Sequence, residues 1–246
     1  LHLSIRRQRQ MCIRDSMKDA KELKLMTLED VLSQIENGMT IGIGTGSTIE
    51  LLIPQIAELI QQKNYTITGV CTSNKTAFLA KELAMNIVDV NDVEKIDLAI
   101  DGADEVDSAL NLIKGGGGAL FREKVIDEMA DRFVVVVDES KLVNYLGETF
   151  ALPVEVDKFN WYQVAKKIER TYDIHVSRRV NEDVPFITDN GNYILDCSLQ
   201  NRIPAYELHE FLIHLTGVLE TGYFLDIADQ VIVGTQEGVK ILNKET

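Results

Sequence analysis

From Met17 onward, short apolar runs alternate with segments whose apolar residues recur three and four apart, the pattern of an α/β chain. Met39–Ile43, Tyr65–Cys71, Ile87–Val90, Leu98–Ile100 and Phe133–Val137 read as strands, each apolar and closed by polar residues. Strands that are apolar on both faces predict a mostly parallel sheet covered by helices. Helices are predicted over Ile49–Gln62 and Lys75–Leu83. Another should be N-capped by Thr27, with Asp30 three residues on, and run to about Asn37 before stopping at Gly38.

Beyond Gly147 the pattern changes. Pro153–Val156, Ile174–Val180, Phe186–Thr188, Tyr193–Asp196 and Gly217–Leu225 read as strands, and Trp161–Thr171 and Ala205–Leu215 as helices. Asn190-Gly191 is a hairpin signal. Apart from the short hairpin arm Phe186–Thr188, the order is βαββαβ, that of a small ferredoxin-like unit. Ile227–Val233 then resumes the earlier style. The expected architecture is therefore a doubly wound, Rossmann-like catalytic unit of residues 17–147 plus 226–246, with an inserted α+β unit of residues 148–225.

Residues 1–16 carry four arginines against one acid, and they lack the apolar stretch and cleavage site of a secretory signal. They are expected to be an extension without function, with translation beginning at Met17; a transit peptide is the alternative. The whole chain has a net charge of -14. Without that leader, 21 basic residues face 38 acidic ones, giving -17. Such a field argues against an extended basic face for nucleic acid or anionic membrane. An anionic ligand must then be held in a small local pocket. No apolar run approaches the roughly 20 residues of a spanning helix. Cys12, Cys71 and Cys197 form no CxxC pair, which argues for a reducing compartment and against a metal knuckle or disulfide frame.

Three constellations fall where strands of the first unit end, the place where open α/β sheets bind ligands. The first is Gly44-Thr45-Gly46-Ser47-Thr48. Its glycines permit a tight turn, and the following helix N-terminus offers amides to a phosphate. A dinucleotide fingerprint would need Gly at Ile49, and no P-loop lysine follows. The second is Asp101-Gly102-Ala103-Asp104-Glu105-Val106-Asp107. Four carboxylates in seven residues repel one another, raising at least one proton affinity toward neutrality. General acid/base work, a divalent-metal site and a solvated acidic loop all remain open on this pattern. The third is Lys114 followed by Gly115, Gly116, Gly117 and Gly118. So many glycines suit close approach of backbone to a ligand, with amides for developing negative charge and Lys114 as a cation. Glu123 lies within the first two turns of the next helix, and Lys141, after the strand Phe133–Val137, is a further candidate phosphate contact, with a solvated surface lysine as the alternative.

Apart from His2, the histidines are His175, His209 and His214, all in the smaller unit. A Ser-His-Asp triad in the first unit is thus unavailable. Catalysis there must use carboxylates, lysine and backbone. Cys71 has no activating His and reads as a structural strand cysteine.

These stretches resemble the type A ribose-5-phosphate isomerase family. The matching motifs are GIGTGST (Gly42 to Thr48), TSNKT (Thr72 to Thr76), DGADEVD (Asp101 to Asp107), KGGGGALFREK (Lys114 to Lys124), DESK (Asp138 to Lys141), LPVEV (Leu152 to Val156) and TDNGN (Thr188 to Asn192). They occur in order from Met17 onward. Gly118 stands where many relatives have Ala, and Cys71 occupies a variable position.

The resemblance implies interconversion of D-ribose 5-phosphate and D-ribulose 5-phosphate through an enediolate, in the non-oxidative pentose phosphate pathway, with no metal or organic cofactor. Thr45, Gly46, Ser47 and Thr48 would bind the phosphate. Asp101, Gly102, Ala103 and Asp104, with Lys114, Gly115, Gly116 and Gly117, would line the sugar. Glu123 matches the proton acceptor and Lys141 a substrate-binding lysine. Asp101 or Asp104 would move the hydroxyl proton, and one of them would help to open the furanose ring. A cytoplasmic homodimer or tetramer is expected. The main alternative is a sugar-phosphate sensor, which should lack the Asp101, Asp104, Lys114 and Glu123 combination and carry a DNA-binding motif. A sugar-phosphate deaminase would normally employ a His, and a CoA-transferase-like protein would use Glu123 as nucleophile.

Overall fold

The structure, a computed structural model, describes residues 18–199 and 201–244. The extension read in residues 1–16 lies outside them. The central sheet has seven strands: β1 (Thr40–Ile43), β2 (Thr68–Cys71), β3 (Asn86–Val88), β4 (Leu98–Asp101), β7 (Phe133–Asp138), β15 (Gln230–Thr235) and β16 (Gly238–Asn243). Their spatial order is β16-β15-β7-β4-β1-β2-β3. All pairs are parallel except β15 with β16. The chain winds outward from β1 through β2 to β3, then returns to β4 on the other side of β1. The carboxyl ends of β1 and β4 therefore flank a topological switch point, where the connections diverge and leave a crevice.

The central strands of the sheet are buried on both faces, as their apolar sequences require, while the edge strands β3 and β16 are partly exposed. Along β7, Val134 and Val136 join one core with Ile41, Ile43 and Ile100, while Phe133, Val135 and Val137 join a second. That alternation is the period of two of a strand. The first core is closed by α3 (Ser47–Lys63) through Ile49, Leu52, Ile53 and Ile56, and the second by Leu120 of α5 (Leu120–Glu128). Between them α4 (Asn74–Glu82) follows β2.

A separate antiparallel sheet has the order β13 (Val218–Thr221), β8 (Leu152–Val156), β12 (Tyr193–Ser198), β9 (His175–Arg178). With α6 (Trp161–Tyr172) and α7 (Ala205–Ile213) this is the βαββαβ arrangement predicted for the smaller unit. Its core is built on Val154, Val164, Ile168, Leu195 and Leu208.

The structure departs from the sequence pattern at four places. The first helix is not capped by Thr27. Asp19 and Glu22 form a capping box for α1 (Ala20–Met26), and a short α2 (Leu28–Leu32) follows. The Thr27 hydroxyl instead donates to the Lys24 carbonyl at 2.6 Å, closing α1. Asn190-Gly191 makes a tight turn between Thr188 and Asn192, but Phe186–Thr188 is not a strand. The local hairpin pairs β10 (Val180–Asn181) with β11 (Val184–Pro185) across Glu182 and Asp183, both at positive φ. The segment Gly217–Leu225 is not one strand. It breaks at Gly222, and β14 (Tyr223–Phe224) joins β5 (Glu105–Val106) and β6 (Leu112–Ile113) in a small third sheet. Finally, β16 extends the main sheet as an antiparallel edge that apolar patterning did not mark.

The break at Gly222 matters for the site. Its carbonyl accepts from the Lys114 amide at 2.9 Å, and its own amide donates to Pro153 at 2.7 Å. A side chain at Gly222 would run into the Lys114 carbonyl. Close backbone approach thus pins Lys114 at the meeting point of the sheets. Among the described residues, no helix is long and apolar enough to cross a membrane.

Candidate active site

At the switch point the β1–α3 turn, the β4–β5 segment and the glycine loop after β6 converge on a cleft of about 100 Å³. Its walls are Thr45 to Thr48, Gly102 to Asp104, Lys114 to Gly117, Glu123, Lys141 and Lys24. Every substrate residue expected from the sequence lines it except Asp101. Lys24, on α1, was not anticipated, because nothing in its local pattern distinguishes it from a solvated helix lysine. Its ammonium donates to Ser47 Oγ at 3.2 Å and lies 3.6 Å from Asp138 Oδ2.

The anion-binding end is built by backbone. Gly46, at φ 110°, turns the chain into α3 without any side-chain cap. The first amides of that helix therefore remain free for a ligand, and the helix dipole favours negative charge there. Thr45 plays a different part. Its amide donates to Asp101 Oδ1 at 3.1 Å, and its hydroxyl is held within a cluster of Thr72, Ser73 and Thr76 hydroxyls. Lys24, through its contact with Ser47, brings positive charge to the same end of the cleft, and Lys141 adds a second cation to its lining.

Asp101 is set beneath the cleft rather than in it. It is fully buried, and its Oδ1 accepts from Thr45 and from Gly102 N at 2.7 Å. Its Oδ2 lies 2.6 Å from Lys114 Nζ. A side chain at Gly44 would overlap this carboxyl, so only glycine lets the β1 turn pass over it. Asp104, by contrast, is half-buried and faces the cleft, with Oδ2 accepting from Gly116 N at 2.7 Å.

Lys114 is the buried hub. Its ammonium donates to Gly102 O at 2.7 Å and lies 3.8 Å from Glu123 Oε1, 4.0 Å from Asp127 Oδ2 and 5.3 Å from the centre of the Phe224 ring. Burial works against its charge, but Asp101, Glu123 and Asp127 together outweigh burial and hold it above the usual lysine range. Asp101 is pushed up by burial while the ammonium and two amides oppose that push.

Glu123 sits on the first turns of α5, buried yet lining the cleft. Burial raises its pKa to about 8; Lys114 pulls down, Asp101 and Asp104 push up, and Arg179 pulls down. A carboxyl poised there can take and return a proton near neutral pH. Arg179, from the segment after β9, holds the glycine loop by donating to the Gly115 and Gly116 carbonyls at 2.7 and 3.1 Å. Arg122, beside Glu123, staples α5 to Asn74 and to the turn at Asp189 and Asn190. Neither arginine was singled out by sequence, since each acts through partners far along the chain.

The other candidate nucleophile is quiet: burial pushes the Cys71 thiol up to about 12. No histidine among the described residues lines the cleft, and no group of three or more His, Cys, Asp or Glu among them is arranged to hold a metal ion. The cation inside the carboxylate cage is Lys114 itself. A larger cavity of about 520 Å³ lies beyond Arg122, between α4, β3 and α5. It contains none of the cage carboxylates. The arrangement of the smaller cleft can bind an anion at one end and shift a carbon-bound proton at the other.

Comparison with known proteins agrees. A family model described as ribose 5-phosphate isomerase A (phosphoriboisomerase A) matches residues 68–238. The chain is 76% identical over 228 residues to ribose-5-phosphate isomerase A of Staphylococcus aureus strain COL, covering 93% of this chain and 100% of that one. It is similar to a solved D-ribose-5-phosphate isomerase in complex with phospho-erythronic acid, with TM-score 0.88 and 41% identity over 92% of this chain and 100% of that one. A ribose 5-phosphate isomerase A structure from Methanocaldococcus jannaschii gives 0.86 and 39% over 91% and 99%.

Proposed function

For a chain that belongs to the ribose 5-phosphate isomerase A family, and so interconverts D-ribose 5-phosphate and D-ribulose 5-phosphate, we propose that Glu123 carries the proton between carbons 1 and 2. The supporting observation is a single cleft that joins a free helix N-terminus to a buried carboxyl of pKa about 8 beside a permanent ammonium. The substrate phosphate sits on the amides of Gly46, Ser47 and Thr48, with Lys24 and Lys141 supplying charge. Its sugar reaches along Gly102 to Asp104 toward Glu123.

Moving the carbonyl requires removal of a carbon-bound proton and its return to the neighbouring carbon. Glu123 as carboxylate takes it, and as carboxylic acid gives it back from the same side. Negative charge on the enediolate oxygen is met by Lys114 and by the loop amides, donors fixed before the reaction begins. Asp104, facing the cleft, shuttles the hydroxyl proton and assists ring opening. Asp101, with its oxygens facing Lys114, Thr45 and Gly102, acts by holding Lys114. Acid/base groups so placed contribute about 10² to 10⁴ in rate, and one oxyanion donor about 10² to 10³.

The test follows ribose 5-phosphate by NMR in deuterated buffer with a chelator present. Conversion to ribulose 5-phosphate with deuterium entering carbon-bound positions is expected. Binding without conversion would instead indicate a sensor. We further read residues 17–147 plus 226–246 as the catalytic unit and 148–225 as a supporting unit, and the protein as a cytoplasmic homodimer or tetramer. Its two described cysteines are free thiols, which suits a reducing compartment; light scattering tests the assembly.

A further inference from the structure

The cage around Lys114 contains one carboxyl more than the reaction above employs. Asp127 lies on α5 one turn beyond Glu123, and its side chain is 1% exposed. It does not line the cleft. Residues four apart on a helix share a face, with Cβ atoms roughly 5–6 Å apart. Both point their carboxyls toward Lys114, at 3.8 and 4.0 Å. Glu123 Oε2 and Asp127 Oδ2 are each buried and each lack a hydrogen-bond partner among the described residues; Asp101 Oδ2 lacks one as well, but it lies 2.6 Å from the Lys114 ammonium.

Two orphaned carboxyl oxygens on one helix face have a simple resolution. If both groups were ionised, each oxygen would stay buried and unpaired, and two like charges would share a site with little water. A single proton resolves both problems, since a carboxylic acid donates to a carboxylate, as in paired-carboxylate sites that share a proton. Asp101 is the poorer host for that proton, because its two oxygens face the Thr45 and Gly102 amides and the Lys114 ammonium. Burial disfavours an ionised Asp127 most, Lys114 opposes this from the longer distance, and Asp101, Glu123 and Glu128 add negative charge around it.

We propose that Asp127 is a positioning residue for this isomerisation: a neutral carboxylic acid whose O–H donates to Glu123, orienting the base and favouring its ionised form. This rests on the reading of Glu123 as the proton carrier. The donor also counters Asp101, Asp104 and burial, which all disfavour ionised Glu123, alongside the help of Lys114 and Arg179.

Two substitutions and one spectrum test it. Asp127→Asn keeps a donor, whereas Asp127→Leu removes it while keeping the branched side-chain skeleton. Asp127→Leu should lower kcat about tenfold or more with KM little changed, as for loss of a hydrogen bond to a charged group. Its acid limb should move up by about one pH unit, because a carboxylate deprived of a donor is protonated more readily. Asp127→Asn should restore the limb to near its original position. Independently of turnover, the infrared difference between the original protein and Asp127→Asn should contain the carbonyl band of a buried carboxylic acid. Absence of that band overturns the proposal. Equal losses in both variants, or pH profiles that superimpose on the original, overturn it too. If the original protein fails to isomerise ribose 5-phosphate, the reading of Glu123 fails instead, and the infrared band still reports on Asp127.

Discussion

Lys114 Nζ stands 2.6 Å from Asp101 Oδ2, with the two side chains 2% and 0% exposed. This pair sorts the two carboxylates that the acidic motif leaves equivalent. Asp101 is spent on holding the ammonium from below, and Asp104 is left to face the cleft.

Asp101→Asn should therefore damage the scaffold as well as the chemistry. It removes the nearest counter-charge of a buried ammonium, and breaking such a pair typically costs about 3–5 kcal/mol. Urea unfolding should show a loss of that order, accompanied by a fall in kcat. Unchanged stability would mean that Lys114 is not held by Asp101.

Glu123→Gln should fold normally and lose carbon-bound proton exchange. The expected drop in kcat is about 10² to 10⁴. NMR in deuterated buffer reads the exchange directly, and retained exchange would remove Glu123 from the role of base.

The pH behaviour follows from the raised pKa of Glu123, about 8 against an ordinary 4.5. Activity needs the carboxylate, so kcat/KM should climb through neutrality and level off above about 8. For stability the sign is the reverse. Between 4.5 and 8 the folded state holds a proton that the unfolded state has released, so stability falls as pH rises through this window, on the order of 1.4 kcal/mol per unit for the full effect. Below 4.5 both states are protonated and the burial penalty is absent. Glu123→Gln should abolish this slope, so its stability relative to the original protein should improve from pH 5 to pH 8. A constant difference across that range would contradict the assignment.

Lys24→Ala should raise KM by about 10- to 100-fold while leaving kcat largely intact, the effect of removing a charge-assisted contact of about 1.5–3 kcal/mol from a remote phosphate. Steady-state kinetics on ribose 5-phosphate makes the split. A fall in kcat at constant KM would move Lys24 away from the phosphate.

Gly44→Ala should lose both fold and activity, because the new methyl group would overlap the Asp101 carboxyl. Gly117→Ala is the control: its Cβ would meet only Thr45 Cγ2, at 3.4 Å. Circular dichroism and melting temperature should separate the two, and equal behaviour would deny the close approach at Gly44.

What sequence by itself determined is local in origin. Strands buried on both faces must be apolar throughout, so Ile41, Ile100 and Val134 announced the parallel sheet, and the spacing of Ile49, Leu52, Ile53 and Ile56 announced the helix that covers it. Turns that pass over a carboxyl or free a row of amides need glycine, so Gly44 to Thr48 and Lys114 to Gly117 marked the cleft directly. Tertiary structure alone decided the rest, for reasons of distance along the chain. Lys24 reaches Ser47 from a helix with no motif, and Arg179 crosses from another sheet to the glycine loop. The apolar run after Gly217 could not reveal its break, because Gly222 must be glycine only where the Lys114 backbone meets it. Asp101 and Asp104 are chemically alike in sequence. One ends a central strand and is sealed beneath Gly44, while the other lies three residues on and faces the cleft, and burial alone divides their work.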